Sequence, residues 1–493
     1  MNNKRFAASA AAAALLLAGI LASCGEAAET PKTAENTPAG EEVTEAVTEY
    51  VEPRPALGLE DKDFGGKKYR ISCYNPDDAA SLFAESTNGE AVNDAVFERN
   101  KLLEEKYNFE LYVEVTDENY DNQCKAIAKL VQAGDDAFEL TYGHVVGSPN
   151  NAIAGYYVNL YDIPNLNFEN PWWPQQSVKE MTVYNRMFTI CSGINYRQLA
   201  EAKVIFFNKE MLTANDMEFP YQTVRDGKWT IDKLIAATKG LYHDLNGDGK
   251  KDENDQFGYA TYPQQNGFLV SCNTPVLSPT ADGGREISVM TDRTVSLVEQ
   301  VYSWYYESGD VFLTVDGSKD NKPYVGDVFG SGHAAFAFSK LNVANEHYRS
   351  DDISYGVVPQ PKFDESQSDY YVFACPSLFS VPMSAQDLDF AGYIFEAMTY
   401  YGYYDVIPKF YEITVKGKIA DSPDDAEMLS IINDNLTVSF AYCYDNWQGF
   451  AHLFNSRMGF TQTKGSKDLA SVYQKNLKSA TKRLETVLAG FAD

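Results

Sequence analysis

The sequence predicts an α/β protein whose ordered part folds as two lobes. β-rich runs alternate with segments of helical periodicity through the first part of the chain, which is the pattern of a parallel sheet with crossover helices. Beyond a polar N-terminal stretch, roughly 430 residues remain, more than one hydrophobic core normally encloses. Both observations favour two α/β lobes over one large domain.

Five elements in succession carry the α/β prediction. "KKYRISCY" (67–74) is β-rich and ends at turn-forming residues, and "GEAVNDAVFERNKLLEEKYN" has apolar residues near helical spacing. "FELYVEV" (109–115) alternates as a second strand, "YDNQCKAIAKLVQAG" predicts a helix closed by Gly134, and "AFELTYG" is a third strand. Strand, helix, strand, helix, strand predicts a parallel sheet, whose ligands bind outside the carboxyl ends of the strands.

Later segments also predict helices and strands. "WTIDKLIAATKGLYHD" predicts a helix capped by Thr230, and helical periodicity returns over 387–401 and in "LASVYQKNLKSATKRLETVLAGF" near the C-terminus. "YGVVPQPKFDESQSDYYVFACPSLFSVP" is strand-like and interrupted by prolines. Three tryptophans, Trp172, Trp173 and Trp304, are predicted to be core residues because they sit in a packing turn and a helical apolar stripe.

The N-terminus predicts export and lipid attachment. Lys4 and Arg5 precede a short, Ala-rich apolar run that ends in "LASCG", so residues 1–23 are a predicted signal peptide. This ending resembles a bacterial lipobox, which implies cleavage before Cys24 and a lipid on Cys24 that anchors the chain. The alternative is an ordinary cleaved signal with an unrelated cysteine. Residues 24–62 are rich in Glu, Thr, Ala and Pro and predict a disordered acidic tether.

Charge and cysteine content exclude several classes of function. The formal net charge is −29, which would repel nucleic acid and anionic lipid. The six cysteines after Cys24 form no CxxC pair and no short cluster with His, so a zinc site is not expected. Their wide spacing predicts buried thiols, with disulfide pairing left open.

Several motifs, in order, resemble the extracellular solute-binding proteins of ABC importers that take carbohydrates (family 1). The stretches that carry the resemblance are "GEAVNDAVFERNKLLEEKYNFEL", "VIFFNKEML", "KWTIDKLIAATKGL", "FGSGHAAFAFS" and "YGVVPQPKFDESQSDYY". "NPWWPQQ" and "IPKFYEITVKGK" also recur in a branch common among gut Firmicutes, which suggests a Firmicutes-like source. Each motif alone is mostly structural, and their order together with the lipobox carries the assignment.

The resemblance implies a two-lobe periplasmic-binding-protein-like fold of type II, in which each lobe is a mixed sheet flanked by helices. Lobe 1 would take 66–198 and 360–405, and lobe 2 would take 202–355 and 406–493. Hinges are expected near Asn195–Ala202 and Val358–Pro361. The implied protein is a monomer on the outer face of the cytoplasmic membrane that delivers an oligosaccharide to ABC permease subunits.

Candidate ligand residues follow from position. Sugars bind through CH faces stacked on aromatic rings and through hydroxyls bonded to amides, carboxylates and phenols. Tyr74, Asn75, Tyr142 and His144 follow or end first-lobe strands, and Asn195 and Tyr196 sit at the predicted hinge. Ser339 ends the "HAAFAFS" strand, and Trp447 falls where proteins of the resembled group often place a stacking tryptophan. A turn, cap or core contact is the alternative for each.

The loop "DLNGDGKKDEND" predicts a structural calcium site. Oxygen donors alternate around Gly249, and Lys250 would contribute its backbone carbonyl. The predicted ligands are Asp244, Asn246, Asp248, Lys250, Asp252, Glu253 and Asp255. Asp255 takes the twelfth position in place of the bidentate Glu of calcium sensors, which suits a static site. A solvated acidic turn is the alternative.

Catalysis has little support in the sequence. Five histidines are scattered, and neither GxSxG nor HExxH occurs. We therefore predict a binding protein and not an enzyme. The competing hypotheses are a secreted glycoside hydrolase, and an adhesin or other carbohydrate-binding lipoprotein without a transport role. The ligand could instead be a peptide.

Overall fold

The computed structural model describes residues 54–263, 266–315, 322–348, 351–414 and 423–492. Its contacts define a compact unit over Leu59–Asp493. Cys24 and most of the predicted tether lie outside the described residues.

The strands of the described residues are β1 (Lys67–Cys73), β2 (Phe109–Val115), β3 (Leu140–Gly143), β4 (Lys203–Asn208), β5 (Phe257–Thr261), β6 (Leu277–Pro279), β7 (Arg285–Ile287), β8 (Val311–Leu313), β9 (Ala334–Lys340), β10 (Tyr355–Pro359), β11 (Val372–Phe373), β12 (Leu378–Ser380) and β13 (Leu436–Thr437). The α-helices are α1 (Pro76–Leu82), α2 (Ala91–Tyr107), α3 (Tyr120–Ala133), α4 (Ser148–Ile153), α5 (Gln175–Met181), α6 (Arg197–Ala200), α7 (Lys209–Ala214), α8 (Tyr221–Arg225), α9 (Ile231–Thr238), α10 (Gly267–Ser271), α11 (Asp292–Tyr306), α12 (Val325–Gly330), α13 (Val343–Glu346), α14 (Leu388–Tyr401), α15 (Ile407–Thr414), α16 (Pro423–Asp434), α17 (Phe440–Tyr444) and α18 (Leu469–Ala492).

The first sheet has the strand order β12-β3-β1-β2. β1 pairs in parallel with both β2 and β3, as the strand–helix alternation predicts, while β12 pairs antiparallel with β3. Two crossover helices, α2 and α3, connect the three parallel strands. The parallel sheet predicted from the first five elements is therefore confirmed.

Local capping explains where the predicted helices begin and end. Asn119 accepts hydrogen bonds from the first turn of α3, and Gly134 ends that helix in the left-handed conformation that glycine tolerates. The Thr230 side chain caps α9, as predicted, and Asp387 caps α14. These boundaries follow from short-range chemistry, which is why the sequence predicts them well.

The second sheet has the order β10-β4-β9-β5-β8 and is mixed, since β4 runs antiparallel to both β9 and β10. Side chains of β4 alternate between two hydrophobic clusters: Ile205 and Phe207 belong to one, and Val204 and Phe206 to the other. Both faces of this sheet are therefore covered, and its functional groups can emerge only at its ends.

Two segments connect the sheets and pair with each other where they cross. The chain passes from the first sheet to β4 through α6, and it returns through β11 toward β12. An antiparallel bridge joins Ala202 of the first crossing to Ala374 of the second. The protein thus has the predicted α/β fold of two lobes, each built on a mixed sheet, with paired strands between them.

Other predictions about the core agree with the structure. Trp172, Trp173 and Trp304 are buried. The six cysteines after Cys24 are unpaired thiols, of which four are buried and two partly buried. Within the described ranges, no helix combines the length and the apolar character that crossing a membrane requires.

Candidate functional site

One edge of the first sheet collects the ends of four strands. The carboxyl ends of β1, β2 and β3 lie together because these strands are parallel, and β12, which is antiparallel, begins at the same edge. Tyr74, Thr116, His144 and Ser377 are the residues that follow or precede these strand ends. The parallel-sheet rule places ligands at such an edge.

An exposed tyrosine stacks on a histidine at this edge. The Tyr120 ring lies 4.3 Å from the His144 ring at an interplanar angle of 24°. Tyr74 contacts the same imidazole edge-on at 5.6 Å. Burial lowers the pKa of His144, so the imidazole is neutral at pH 7. We call Tyr120 on His144 the tyrosine stack. Tyr120 is 37% exposed, which makes it a candidate contact for a ligand.

Tyr74 and Asn75 border a buried carboxylate. The Asn75 side chain caps α1 by accepting a hydrogen bond from the Asp78 N–H at 2.8 Å. Asp78 in turn accepts the Ser377 hydroxyl proton at 2.5 Å and lies 3.3 Å from Nε of Arg197. Burial raises the pKa of Asp78 and raises that of Tyr74 to about 12. Asn75 therefore has a capping role, while Tyr74 stays at the edge.

The remaining first-lobe and hinge candidates make contacts inside the protein. Tyr142 is buried and stacks on Phe379 at 4.2 Å. The buried Asn195 donates to the Ser81 hydroxyl at 3.0 Å and accepts from the Arg197 N–H at 3.1 Å.

Tyr196 stacks on Phe410 at 4.9 Å and packs beside the core of the second lobe. The structure gives Tyr142, Asn195 and Tyr196 packing contacts, and their predicted contact with ligand stays a prediction.

A chain of charged contacts joins the two lobes along the first crossing. Arg197 bridges Asp78 and Glu201, the latter at 3.4 Å. Glu201 is also 3.7 Å from the Lys203 ammonium and 3.5 Å from that of Lys340. The three nearby cations lower the pKa of Glu201 although its burial opposes that shift. Glu201 is therefore ionised, and the side chains of Arg197, Glu201 and Lys203 are mostly shielded from bulk water.

The second sheet contributes polar residues from its own edge to these charged contacts. Lys203 begins β4 opposite Lys340 of β9, and Pro359 of β10 pairs with Val204, so Gln360 comes beside Lys203. Ser339 precedes Lys340 and is buried. Burial raises the pKa of Tyr324, and a hydrogen bond with Ser339 opposes that rise. Because neighbours in a strand point to opposite faces, Ser339 and Lys340 serve different sides of the sheet.

A second exposed ring stacks on a histidine in the C-terminal segment. Trp447 lies 3.7 Å from His452 at an interplanar angle of 16°, and Tyr442 contacts His452 at 4.7 Å. We call Trp447 on His452 the tryptophan stack. Arg457 holds its backbone by donating to the carbonyl oxygens of Trp447 and Gly449 at 2.7 and 2.6 Å.

Trp447 is 48% exposed and has a φ of +60°, a left-handed conformation that a tryptophan rarely adopts. An exposed aromatic ring in an unfavourable backbone conformation makes Trp447 a candidate functional residue.

The sequence did not identify four residues of the two stacks and the second sheet's edge. Tyr120 starts the helix after β2, so the strand-end rule could have found it. Lys203 and Gln360 follow from β4 and β10 only once the strand register is known. His452 carries no local signal, because it meets Trp447 through a turn whose shape depends on Arg457.

The predicted calcium loop folds around backbone hydrogen bonds. Both carboxylate oxygens of Asp244 accept from N–H groups, those of Gly247 at 2.6 Å and Gly249 at 2.9 Å. Asn246 accepts from the Asp248 N–H, and Asp248 accepts from the Lys250 N–H. Gly249 has a φ of +75°, as the sharp turn of a metal loop requires.

Asp255 closes the loop and is fully buried. Its carboxylate accepts hydrogen bonds from the Leu245 N–H at 3.2 Å and the Tyr242 hydroxyl at 3.3 Å. Asp252 caps Asn254, and the Glu253 carbonyl contacts His333. In the part of the chain that the structure describes, no group of three or more His, Cys, Asp or Glu side chains is placed to hold a metal ion. The donor types suit calcium, but this conformation does not converge them, so the calcium site stays a prediction.

Within the described residues, two of the cavities are lined by other parts of the chain. One, of about 370 Å³, is lined by Tyr403, Tyr404, Ile407, Pro408, Tyr411, Ala426, Ser430, Asn433 and Asp434. The other lies among residues of β6, β7, α17 and α18. Neither lining includes a candidate ligand residue, and the chemistry described above is concentrated at the sheet edges.

The sequence matches no protein-family model and no curated protein. Solved structures, however, share its fold. The extracellular solute-binding protein of Staphylococcus aureus in complex with maltose has a TM-score of 0.53 at 12% identity, over 86% of this chain and 96% of that one. A cyclo/maltodextrin-binding protein complexed with maltotetraose has a TM-score of 0.54 at 13% identity, over 85% and 97% of the two chains. UspC of M. tuberculosis has a TM-score of 0.54 at 12% identity, over 84% and 100%. At such low identities these likenesses show the fold alone, and that fold is the two-lobe α/β architecture of solute-binding proteins.

Proposed function

We propose that this protein is the substrate-binding component of an ABC importer and captures an oligosaccharide between its two lobes. One observation carries the proposal: two exposed aromatic rings, Tyr120 and Trp447, each stack on a histidine, one in the first lobe and one in the C-terminal segment. Flat aromatic surfaces suit the CH faces of sugar rings. Two of them suit a ligand of more than one ring.

The surroundings of the rings support a saccharide over an apolar ligand. Asp78, Arg197, Glu201 and Lys203 supply hydrogen-bonding groups between the two lobes. Sugar-binding pockets combine aromatic faces with a few placed polar groups. The maltose and maltotetraose bound to structures of the same fold support the same class of ligand for this chain.

Movement of the lobes would supply the signal for transport. The crossings are short and paired at Ala202 and Ala374, so a few residues there can absorb a change of angle between the lobes. Ligand that contacts both lobes stabilises the closed form, which the permease recognises in this proposal. Delivery to a permease and attachment through a lipid on Cys24 extend the proposal to the membrane and rest on the sequence.

Binding is tested by isothermal titration of the full chain against a panel of oligosaccharides and a panel of short peptides. We expect saturable binding of at least one oligosaccharide with no change in its length during incubation. Shortening of the sugar would support a glycoside hydrolase instead. Binding of peptides but of no sugar would replace the ligand class and leave the fold unaffected.

Lipid attachment needs a separate experiment. We expect a radiolabelled fatty acid to enter the chain in a bacterial host, and the substitution Cys24→Ala to abolish that label and release the protein from the membrane fraction. A Cys124→Ala variant is the matched control, because it removes a thiol inside the folded unit. Label retained in the Cys24→Ala variant would contradict the anchor.

We also propose that the loop 244–255 binds calcium as a structural ion. The alternating oxygen donors, the positive φ of Gly249 and the burial of Asp255 support it. An ion that binds only the folded state at 100 times its dissociation constant adds about 2.7 kcal/mol of stability. We expect EDTA to lower the melting temperature and added calcium to restore it, while ligand affinity is unchanged. An identical melting temperature with and without EDTA would argue against the ion.

A further inference from the structure

Lys203 is the least compensated cation of the charged chain between the lobes. Arg197 has two carboxylate partners, Asp78 and Glu201, and Lys340 has two, Glu201 and Glu346, at 3.5 and 3.6 Å. Among the described residues, Lys203 has one carboxylate partner, Glu201, and at 3.7 Å this contact is longer than a hydrogen bond. Its side chain is only 13% exposed.

A buried ammonium has three N–H donors and needs acceptors for them. The group beside it, the thiol of Cys375, is a weak acceptor. Burial opposes the ionised form of Lys203, yet its interactions with Cys375 and Glu201 raise its pKa, so the side chain stays positive. The structure therefore keeps a desolvated positive charge with unfilled hydrogen-bonding capacity at the edge of the second lobe.

Other unpaired donors surround this ammonium. The bridge between Ala202 and Ala374 sets Lys203 next to Phe373, whose ring contacts Tyr442 at 5.1 Å. Tyr262 follows β5 at the same edge of the sheet. In the described part of the chain, neither the Tyr262 nor the Tyr442 hydroxyl has a hydrogen-bond partner, and the charge of Lys203 influences the pKa of both.

Gln360 supplies an independent observation. It is fully buried beside Lys203, and within the described ranges neither its amide nitrogen nor its amide oxygen has a hydrogen-bond partner. A side chain at position 267 would collide with this amide, since a Cβ there would lie 2.8 Å from the amide nitrogen; glycine leaves the space. A buried amide without partners costs stability unless something else bonds to it.

We propose that this Lys203 pocket, formed by Lys203, Gln360, Tyr262 and Tyr442, binds a carboxylate of the ligand, so that the preferred substrates are acidic oligosaccharides containing uronic acid. The inference rests on the proposed function and names its substrate class. The pocket offers an ammonium, two hydroxyls and an amide N–H, and a carboxylate accepts from all of them with charge-assisted strength. The amide oxygen of Gln360 is left for a sugar hydroxyl.

The negative charge of the whole chain does not prevent this. The formal net charge is −29, but charges on the outer surface are screened within about 8 Å at physiological salt. Groups within the pocket are not screened in this way, because they are largely shielded from water. The hydrogen-bond donors of the pocket, and not the net charge of the chain, therefore favour a negatively charged ligand.

The test titrates the full chain with a panel of uronic-acid oligosaccharides, each paired with its carboxyl-reduced neutral counterpart. We expect the tightest acidic member to bind at least about tenfold more tightly than its neutral counterpart. Lys203→Met is expected to remove most of that difference in affinity between the acidic member and its neutral counterpart. Tyr262→Phe, which removes only a hydroxyl, is expected to weaken binding of the acidic sugar alone and guards against misfolding of the lysine variant.

Lys233→Met is the matched control, since it removes the same charge at an exposed position of α9 and should leave the preference intact. Equal affinity for the acidic and neutral members would overturn the inference and leave the proposed function standing, as would an undiminished preference in Lys203→Met. If no saccharide of either kind binds, the proposed function fails and the inference fails with it.

Discussion

The tyrosine stack and the tryptophan stack use the same chemistry on different supports. In each, an exposed aromatic ring lies flat on a histidine, at 4.3 Å in the first lobe and 3.7 Å in the C-terminal segment. Tyr120 begins a regular helix that Asn119 caps, whereas Trp447 sits in a left-handed turn held by Arg457. The tyrosine stack is supported by a strand end and a helix start without backbone strain. The tryptophan stack depends on the tertiary contact with Arg457. We therefore expect the tryptophan stack to contribute more to binding and to be more sensitive to its surroundings.

The largest effect is expected in the pH dependence of stability. Burial lowers the pKa of His452 to about 4 from 6.5, and the positive charge of Arg457 adds to the shift. Between these pH values the unfolded chain binds more protons than the folded chain. The contribution of neutral His452 to the free energy of unfolding is therefore present above pH 6.5 and is lost as the pH falls toward 4. The loss is about 3 kcal/mol at most. Urea unfolding of the natural protein and of His452→Gln from pH 7 to pH 4 measures this as a difference between the two proteins.

The comparison with His452→Gln is needed because Asp445 titrates in the opposite sense. Burial raises the pKa of Asp445 to about 6 from 3.8, so its contribution to stability grows as the pH falls through this range. At His144, the charge of Asp121 opposes the effect of burial on the pKa. His144→Gln should therefore give a shallower dependence of the same sign. If the stability difference for His144→Gln depended on pH as steeply as that for His452→Gln, or more steeply, the two histidines would not differ in the way we expect.

The next effect is on ligand affinity. Replacing Trp447 by Ala removes the half-exposed indole face, and truncating a dominant aromatic contact costs about 2 kcal/mol, or about 30-fold in Kd. Trp447→Tyr should retain part of the affinity. Isothermal titration with the tightest oligosaccharide measures both. A change below about threefold in Trp447→Ala would show that the tryptophan stack is not a ligand platform.

The backbone conformation of Trp447 gives a third difference. At a φ of +60°, an L-residue is strained by about 1–2 kcal/mol, and glycine is not. Trp447→Gly should therefore be more stable than Trp447→Ala by about 1 kcal/mol, although both lose affinity. Tyr120→Gly and Tyr120→Ala should differ in the opposite direction, because glycine weakens a helix. Chemical denaturation of the four variants checks both orders, and a reversed order at position 447 would contradict the strained turn.

The smallest effect is expected at the tyrosine stack. Tyr120→Ala should weaken binding by about 1 kcal/mol, or roughly fivefold, because the ring is smaller and less exposed than that of Trp447. Tyr112→Ala is the matched control, since Tyr112 is an exposed tyrosine within β2 and away from the carboxyl edge of the sheet. Equal losses at positions 112 and 120 would mean that the edge has no special role.

Sequence reasoning was accurate where the signal is local. The strand–helix alternation, the cap at Thr230 and the helix end at Gly134 reappear in the structure because they depend on residues within a few positions of one another. The parallel first sheet was predicted from those elements alone. For the site, one partner of each stack was predicted, His144 and Trp447, and the other partner was missed.

The sequence by itself determined the α/β class, the order of elements and the sheet edge at which several candidate ligand residues lie, because propensity, periodicity and caps are short-range properties. Only the tertiary structure decided which residues meet there. Lys203, Gln360 and Tyr442 are separated by long stretches of chain, and strand register and the bridge between the crossings bring them together. The polarity of the pocket depends on contacts between distant residues, as does burial, which sets the pKa values of His452 and Asp445. Such contacts leave no periodic trace in the sequence, so the ligand class that we propose rests on packing and not on any local motif.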